Sequence, residues 1–263
     1  MVAPEGRPIL AQVNALGIKN RKMKRCLKVL VLVGLMGLVS ACVKDPVWPH
    51  EVRFSVLGDS YSTFKGYVDP ETNDLWTDYD SIGVTDVSQM WWHQVATEMG
   101  WSLELNNSFS GSLICNMNAA DYYGPYSFLR RMDHLGNPDV IFIFGGTNDV
   151  WDGAPLGDYI YADWTEEQLC TIRPAVAYML DWLEQQHPKA RLYFMIDLDF
   201  CPGGIPEETR VAFIESMHVI TDHYGVECID LHDVKKTWWH PNAEGQASIA
   251  RQMIELLRAD FNV

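Results

Sequence analysis

Hydrophobic and polar positions along the chain fall into two alternating patterns. Short runs rich in Val, Ile, Leu and Phe occur at 53–57, 103–106, 140–144, 192–196 and 226–231. Runs of that length and apolar content suit strands of a sheet buried on both faces. Between them, apolar residues recur at helical spacing, which predicts helices over 87–99, 126–135, 165–186, 206–224 and 243–260. Glu166, Glu167, Glu207 and Glu208 stand in two expected first turns, where a helix dipole favours negative charge. Strand and helix in alternation, with crossover-length connections, predict one α/β domain with three αβα layers around a five-stranded parallel sheet.

Three connections, 61–86, 112–125 and 150–164, are too long to be simple turns. Each follows the C-terminal end of an expected strand, the edge where open α/β sheets bind ligands. They carry Trp76, Tyr79, Tyr122, Tyr123, Trp151, Tyr159, Tyr161 and Trp164. Taken singly, each of these aromatics is better explained by packing against its own loop.

Ahead of the α/β pattern, Lys22 to Lys28 form a basic stretch and residues 29–39 an apolar run short of a comfortable bilayer span. This reads as an export leader, with Met23 the expected start and an uncut signal anchor the alternative. The leader closes on Val39-Ser40-Ala41-Cys42, which resembles the bacterial lipobox. That resemblance implies a leader over 1–41, diacylation of Cys42, a tether over 42–50 and a folded domain over 51–263. Val43 rather than Asp after the cysteine implies the outer membrane of the cell envelope, with membrane contact through the lipid anchor alone.

Charge sharpens the division. The whole chain carries a formal −15, but residues 1–41 hold seven basic residues and one acid, leaving 13 basic and 34 acidic residues beyond them. So acidic a body excludes nucleic acid as partner and disfavours anionic lipid headgroups and uronate polymers. Beyond Cys26 and Cys42 stand Cys115, Cys170, Cys201 and Cys228, with no CxxC spacing, so a zinc ribbon is excluded. Disulfides and buried thiols both remain open for these four.

The chemistry-bearing residues gather at the ends of expected strands. Gly58-Asp59-Ser60-Tyr61-Ser62 follows the first, Asn107-Ser108-Phe109-Ser110-Gly111-Ser112 the second, and Gly145-Gly146-Thr147-Asn148-Asp149 the third. His240-Pro241-Asn242 precedes the last helix, with Asn242 a candidate N-cap. Each could be turn punctuation, but together they supply the parts of a serine hydrolase. Ser60 would attack an ester carbonyl and His240 would take its proton. The main-chain N–H groups of Ser60 and Gly111 and the amide of Asn148 would hold the oxyanion. Asp59 and Asp149 are read as braces for their loops.

These blocks, in this order, resemble the SGNH (GDSL-like) esterase/lipase superfamily, whose blocks are GDS, Gly, GxND and HP. The resemblance covers roughly residues 51–261. It implies a flavodoxin-like sheet of order 2-1-3-4-5, ester hydrolysis through an acyl-enzyme, and no metal or other cofactor. It also implies that Ser60 is the nucleophile, Gly111 and Asn148 are oxyanion donors, and His240 is the base. One departure stands out: the family commonly places Asp three residues before the histidine, and here that position is Thr237. Three replacements are open: a main-chain carbonyl near Thr237 making a Ser-His dyad, a carboxylate such as Asp233, or none and a degraded site.

Rival readings are weaker. Asp197-Leu198-Asp199 prompts a phosphoryl-transfer reading, but Cys201 stands where the haloacid-dehalogenase pattern needs Thr or Val. The serine block lacks the last Gly of G-x-S-x-G, and no G-x-G-x-x-G follows the first strand. His232 is the rival base; His93, His187, His218 and His223 fall on expected helices or helix ends. The sequence thus points to an ester of small-molecule or glycan type, most simply an O-acetyl group on a neutral carbohydrate. The alternatives are lipid or short acyl esters, or a non-catalytic glycan-binding lipoprotein.

Overall fold

Five parallel strands form the sheet: β1 (Arg53–Gly58), β2 (Ser102–Ser108), β3 (Val140–Phe144), β4 (Arg191–Asp197) and β5 (Glu227–Leu231), in the order β2-β1-β3-β4-β5. The computed structural model describes residues 51–68, 80–117, 124–200 and 203–262. The expected leader, Cys42, the tether, Trp76, Tyr79, Tyr122, Tyr123 and Cys201 lie outside them.

Strand alternation sends side chains to two cores. Ile141, Ile143, Phe194 and Ile196 pack with Val176, Leu180 and Leu183 of α4 (Ile172–Gln186) and with Met217 and Ile220 of α5 (Glu207–Tyr224). Val140, Phe142, Phe144 and Met195 pack with Trp91 and Val95 of α1 (Trp91–Met99) and with Ile249, Met253 and Leu257 of α6 (Ala243–Phe261). Helices thus cover both faces, the three-layer α/β arrangement expected. Among the described residues no helix is long and apolar enough to cross a membrane.

Three helices differ from the spacing-based expectation, each for a local reason. The expected helix over 87–99 divides into a 3-10 turn, Val87–Gln89, and α1, because Met90 is extended and Gln246 of α6 accepts the Trp91 N–H at 2.9 Å. The one over 126–135 contracts to α2 (Phe128–Arg131): Asn107 donates to the carbonyls of Arg131 and His134, and Ser55 donates to that of Leu135. The one over 165–186 begins as α-helix only at Ile172. Pro174 then falls in the first turn, where its missing N–H costs nothing; seven residues earlier it would have been interior.

Two short elements had no periodic signal. One is α3 (Thr147–Trp151), directly after β3. The other is a two-stranded antiparallel ribbon, β6 (Lys236–Thr237) and β7 (His240–Pro241), just before α6.

Candidate active site

Ser60 stands in a tight turn where β1 ends. Asp59 N–H donates to the Phe144 carbonyl, Ser62 N–H to the Asp59 carbonyl, and Tyr61 N–H to Asp59 Oδ1 at 2.9 Å. The carboxylate so close to its own backbone makes an Asx-type turn, which holds Ser60 at the sheet edge. Ser60 is nearly buried, and its Oγ lies 3.0 Å from His240 Nε2. That is hydrogen-bond distance between a hydroxyl and the group expected to take its proton.

His240 owes its place to the ribbon. Thr237 pairs with it across β6 and β7, Asn242 N–H donates to the Lys235 carbonyl, and the Asn242 side chain caps α6 by accepting from Gly245 N–H at 3.0 Å. Tyr61 OH donates to the Trp239 carbonyl at 2.7 Å, and its ring meets the imidazole edge-on at 5.9 Å. Burial lowers the His240 pKa below the ordinary value, so the ring is a neutral base at pH 7. The ribbon is clamped from below: Lys236 Nζ lies 2.6 Å from Asp197 Oδ2 at the end of β4, both side chains buried, in an ion pair off the ideal hydrogen-bond direction. The Asp197-Leu198-Asp199 run therefore serves to anchor the ribbon. Of the other candidates, Asp233 is exposed with φ +55°, and His232 is exposed with its main chain held by Gln252.

The facing wall comes from two other strand ends. Phe109 N–H donates to the Gly58 carbonyl, and Ser112 N–H closes a turn on the Phe109 carbonyl, with Gly111 at φ +77°. A side chain would be strained at that φ. Asn148, in α3, donates one Nδ2 hydrogen to the Ser112 carbonyl at 3.0 Å and keeps a second for another acceptor. Gly146, at φ +98°, opens α3 and lets Phe213 of α5 pack against that turn, since a Cβ there would strike the Phe213 ring. The structure thus joins Ser60 to His240, and Asn148 to the loop that carries Gly111.

Comparison with known proteins settles the family. A GDSL-like lipase/acylhydrolase family model matches residues 52–257. The chain belongs to the GDSL-like lipase/acylhydrolase family. Two solved structures, described as candidate GDSL-like lipases, support the assignment. The one from Bacteroides ovatus is 45% identical, with 80% of this chain and 99% of that one covered and a TM-score of 0.70. The one from Bacteroides uniformis is 41% identical, with 80% and 97% covered and a TM-score of 0.71. A carbohydrate esterase structure at 22% identity shares the fold, with 81% and 67% covered and a TM-score of 0.54. No curated protein matches. The protein is therefore an ester hydrolase.

Beneath the pair, this GDSL-like hydrolase has a buried charge network whose centre, Arg131, the sequence reading missed. Its guanidinium donates to the carbonyls of Tyr126 (2.6 Å), Asn107 and Gly58 (3.1 Å), to Asn107 Oδ1 (3.0 Å) and to Ser112 Oγ (3.0 Å). One side chain thus ties the end of β1 to the loop after β2. Burial pulls its pKa down to about 9, partly offset by the charge of Asp59. Asp149 accepts from the N–H groups of Ile114 (2.8 Å) and Cys115 (3.0 Å), as expected of a brace, and burial raises its pKa. Burial, with Asp149 nearby, raises Asp59 to about 7 against the pull of the Tyr61 N–H and Arg131.

Among the described residues, one group could hold a metal ion: His218 on α5 with Cys228 and Asp230 on β5, their ligand atoms within 4.8 Å of one another. His218 Nε2 and Asp230 Oδ1 are 2.9 Å apart, closer than the roughly 3.3 Å that ligands bound at about 2.0 Å around tetrahedral zinc would keep. That contact is an ion pair at the sheet edge, and it raises the His218 pKa to about 10. Cys115, Cys170 and Cys228 are free thiols. The aromatics of the 150–164 connection mostly face the α4–α5 layer: Tyr159 lies under the Arg173 guanidinium, Tyr161 stacks on His223, and Trp164 donates to the Ile160 carbonyl.

Proposed function

We propose that this hydrolase is a serine esterase that removes O-acetyl groups from a neutral carbohydrate through an acyl-enzyme. The observation that carries the mechanism is the 3.0 Å contact between Ser60 Oγ and a neutral His240 Nε2. Ser60 Oγ attacks the ester carbonyl as His240 takes its proton. The tetrahedral oxyanion receives the N–H groups of Ser60 and Gly111 and the second Asn148 amide hydrogen. Collapse breaks the C–O bond, and His240 returns the proton to the leaving alkoxide. Water then repeats the sequence on the acyl-serine, releasing the acid and restoring Ser60. Thr237 pairs with His240 across the ribbon, which fixes the backbone from which the base projects; on this reading a main-chain carbonyl of the ribbon takes the place of the customary carboxylate.

Neutral carbohydrate fits the excess of 34 acidic over 13 basic residues beyond residue 41, which repels anionic substrates. It also fits an exported lipoprotein anchored through Cys42 in the outer membrane, where glycans are met. The carbohydrate esterase structure is described as having an active site with divergent catalytic and non-catalytic binding functions. Thr237 keeps the second of those, glycan binding without turnover, as the rival.

The decisive assay is hydrolysis of p-nitrophenyl acetate and of acetylated oligosaccharides by the protein and its Ser60→Ala variant. Turnover abolished by the substitution, with acetylated sugars preferred over acyl esters of increasing length, is expected. Turnover indifferent to Ser60→Ala overturns the mechanism; preference for long chains overturns the substrate. The mass of the mature N-terminus tests acylation at Cys42.

A further inference from the structure

Three tryptophans beside the Ser60–His240 pair are left in water by the fold. Trp151 ends α3, three residues after Asn148, and is 47% exposed; Trp239 immediately precedes His240 and is 41% exposed. Trp238, between Thr237 and Trp239, is 78% exposed. The Trp151 and Trp239 rings meet at 5.1 Å with their planes 48° apart, which joins the helix of Asn148 to the ribbon of His240. Folding does not explain Trp238. It has φ +59°, a left-handed turn position comfortable for Gly or Asn and strained for a bulky residue, and it leaves most of its indole in solvent. Large exposed aromatics gathered at one place mark a binding surface.

We infer that Trp151, Trp238 and Trp239 form a stacking face for a sugar ring of the substrate, next to the ester that Ser60 attacks. The inference rests on the esterase reading and adds where the non-reacting part of the substrate lies. An open aromatic face covers one side of a flat ring and leaves its hydroxyls hydrated on the other. An acyl chain would need an enclosed groove to bury both sides. A ring without negative charge is selected because the surrounding body is strongly acidic. Each indole is joined by chain to a member of the site, so a sugar seated there is positioned along with its ester group.

The test uses the full chain with neutral acetylated xylo- and manno-oligosaccharides, with p-nitrophenyl acetate and with p-nitrophenyl palmitate as a long-chain acyl ester. In Trp151→Ala and Trp238→Ala, the ratio of kcat/KM for the oligosaccharide to that for the aryl ester should fall about tenfold or more. Trp→Phe at the same positions should recover most of it. In a Ser60→Ala background, calorimetry should show oligosaccharide binding weakened by the same alanine substitutions. An unchanged ratio and unchanged binding, while esters are still turned over, overturns the stacking face alone. A larger loss on long-chain acyl esters than on sugars assigns the surface to lipid and also overturns it. No turnover of any ester, with Trp-dependent sugar binding retained, removes the esterase mechanism and leaves the stacking face standing.

Discussion

On the proposed mechanism His240 is the base, and burial sets its environment: taking the imidazole out of water disfavours its charged form, so its pKa falls below 6.5. The expected consequence is an acid limb of kcat/KM, on a small acetyl ester, with its midpoint below pH 6.5; a midpoint above that value would mean a carboxylate partner dominates. Asn148→Ala should lower kcat by about 10² to 10³ with KM little changed, because the amide is needed only once charge develops on the substrate oxygen. A raised KM with kcat unchanged would assign Asn148 to ground-state binding. That Ser60 would meet His240, and Asn148 the loop of Gly111, was legible in the sequence because such chemistry restricts residue type, three of the four follow strand ends and His240 directly precedes the last helix. Arg131 was not. It sits in an ordinary Arg-Arg pair, and its acceptors at 58, 107, 112 and 126 become neighbours only when the sheet forms.

At the scale of elements, the five strands were legible to within two residues at each end, the inner three because near-continuous apolar runs mean little else and the edge strands β2 and β5 through shorter runs broken by polar residues. Helix starts were less so, and Pro174 shows why: apolar periodicity ran through it while its missing N–H fixed where the α-helix begins. The ribbon was invisible, since two residues a side carry no period. It is held by the buried Lys236–Asp197 pair, which predicts how it can be loosened. Lys236→Met leaves Asp197 without its counter-charge and should cost about 3–5 kcal/mol of stability, less at acid pH where the carboxyl can protonate. Replacing both, as Lys236→Met with Asp197→Leu, should recover most of that stability while kcat stays low, because the apolar pair no longer fixes the ribbon bearing His240. Urea unfolding at two pH values together with steady-state kinetics checks both parts. Full recovery of kcat in the double variant would show that the ion pair serves folding only.

Across the whole molecule, two kinds of negative charge act in the same direction. The surface carries the excess of acids that gives the chain its −15, and their mutual repulsion grows as pH rises. Inside, Asp59 is held at about 7 against an ordinary 3.8, so between those values the folded protein binds a proton that the unfolded chain has released. Below 3.8 both states are protonated and Asp59 contributes no slope. Through the window from about pH 4 to about pH 7, the Asp59 contribution to stability falls as pH rises, by up to about 4 kcal/mol at 1.36 kcal/mol per unit. Buried Asp149 and Asp197, also raised, add to the same trend. Salt separates the two kinds of charge: at about 1 M the Debye length is near 3 Å, which silences surface repulsion and leaves buried groups almost untouched. Melting temperatures from pH 4 to pH 8 in high salt should therefore still decline, and Asp59→Asn, which keeps an oxygen for the Tyr61 N–H, should flatten that residual slope. The slope is the readout, since the substitution also changes the group that faces Arg131 and so shifts stability even where Asp59 is neutral. A decline that high salt abolishes in the parent protein would place the whole effect on the surface and leave Asp59 ionised in the fold.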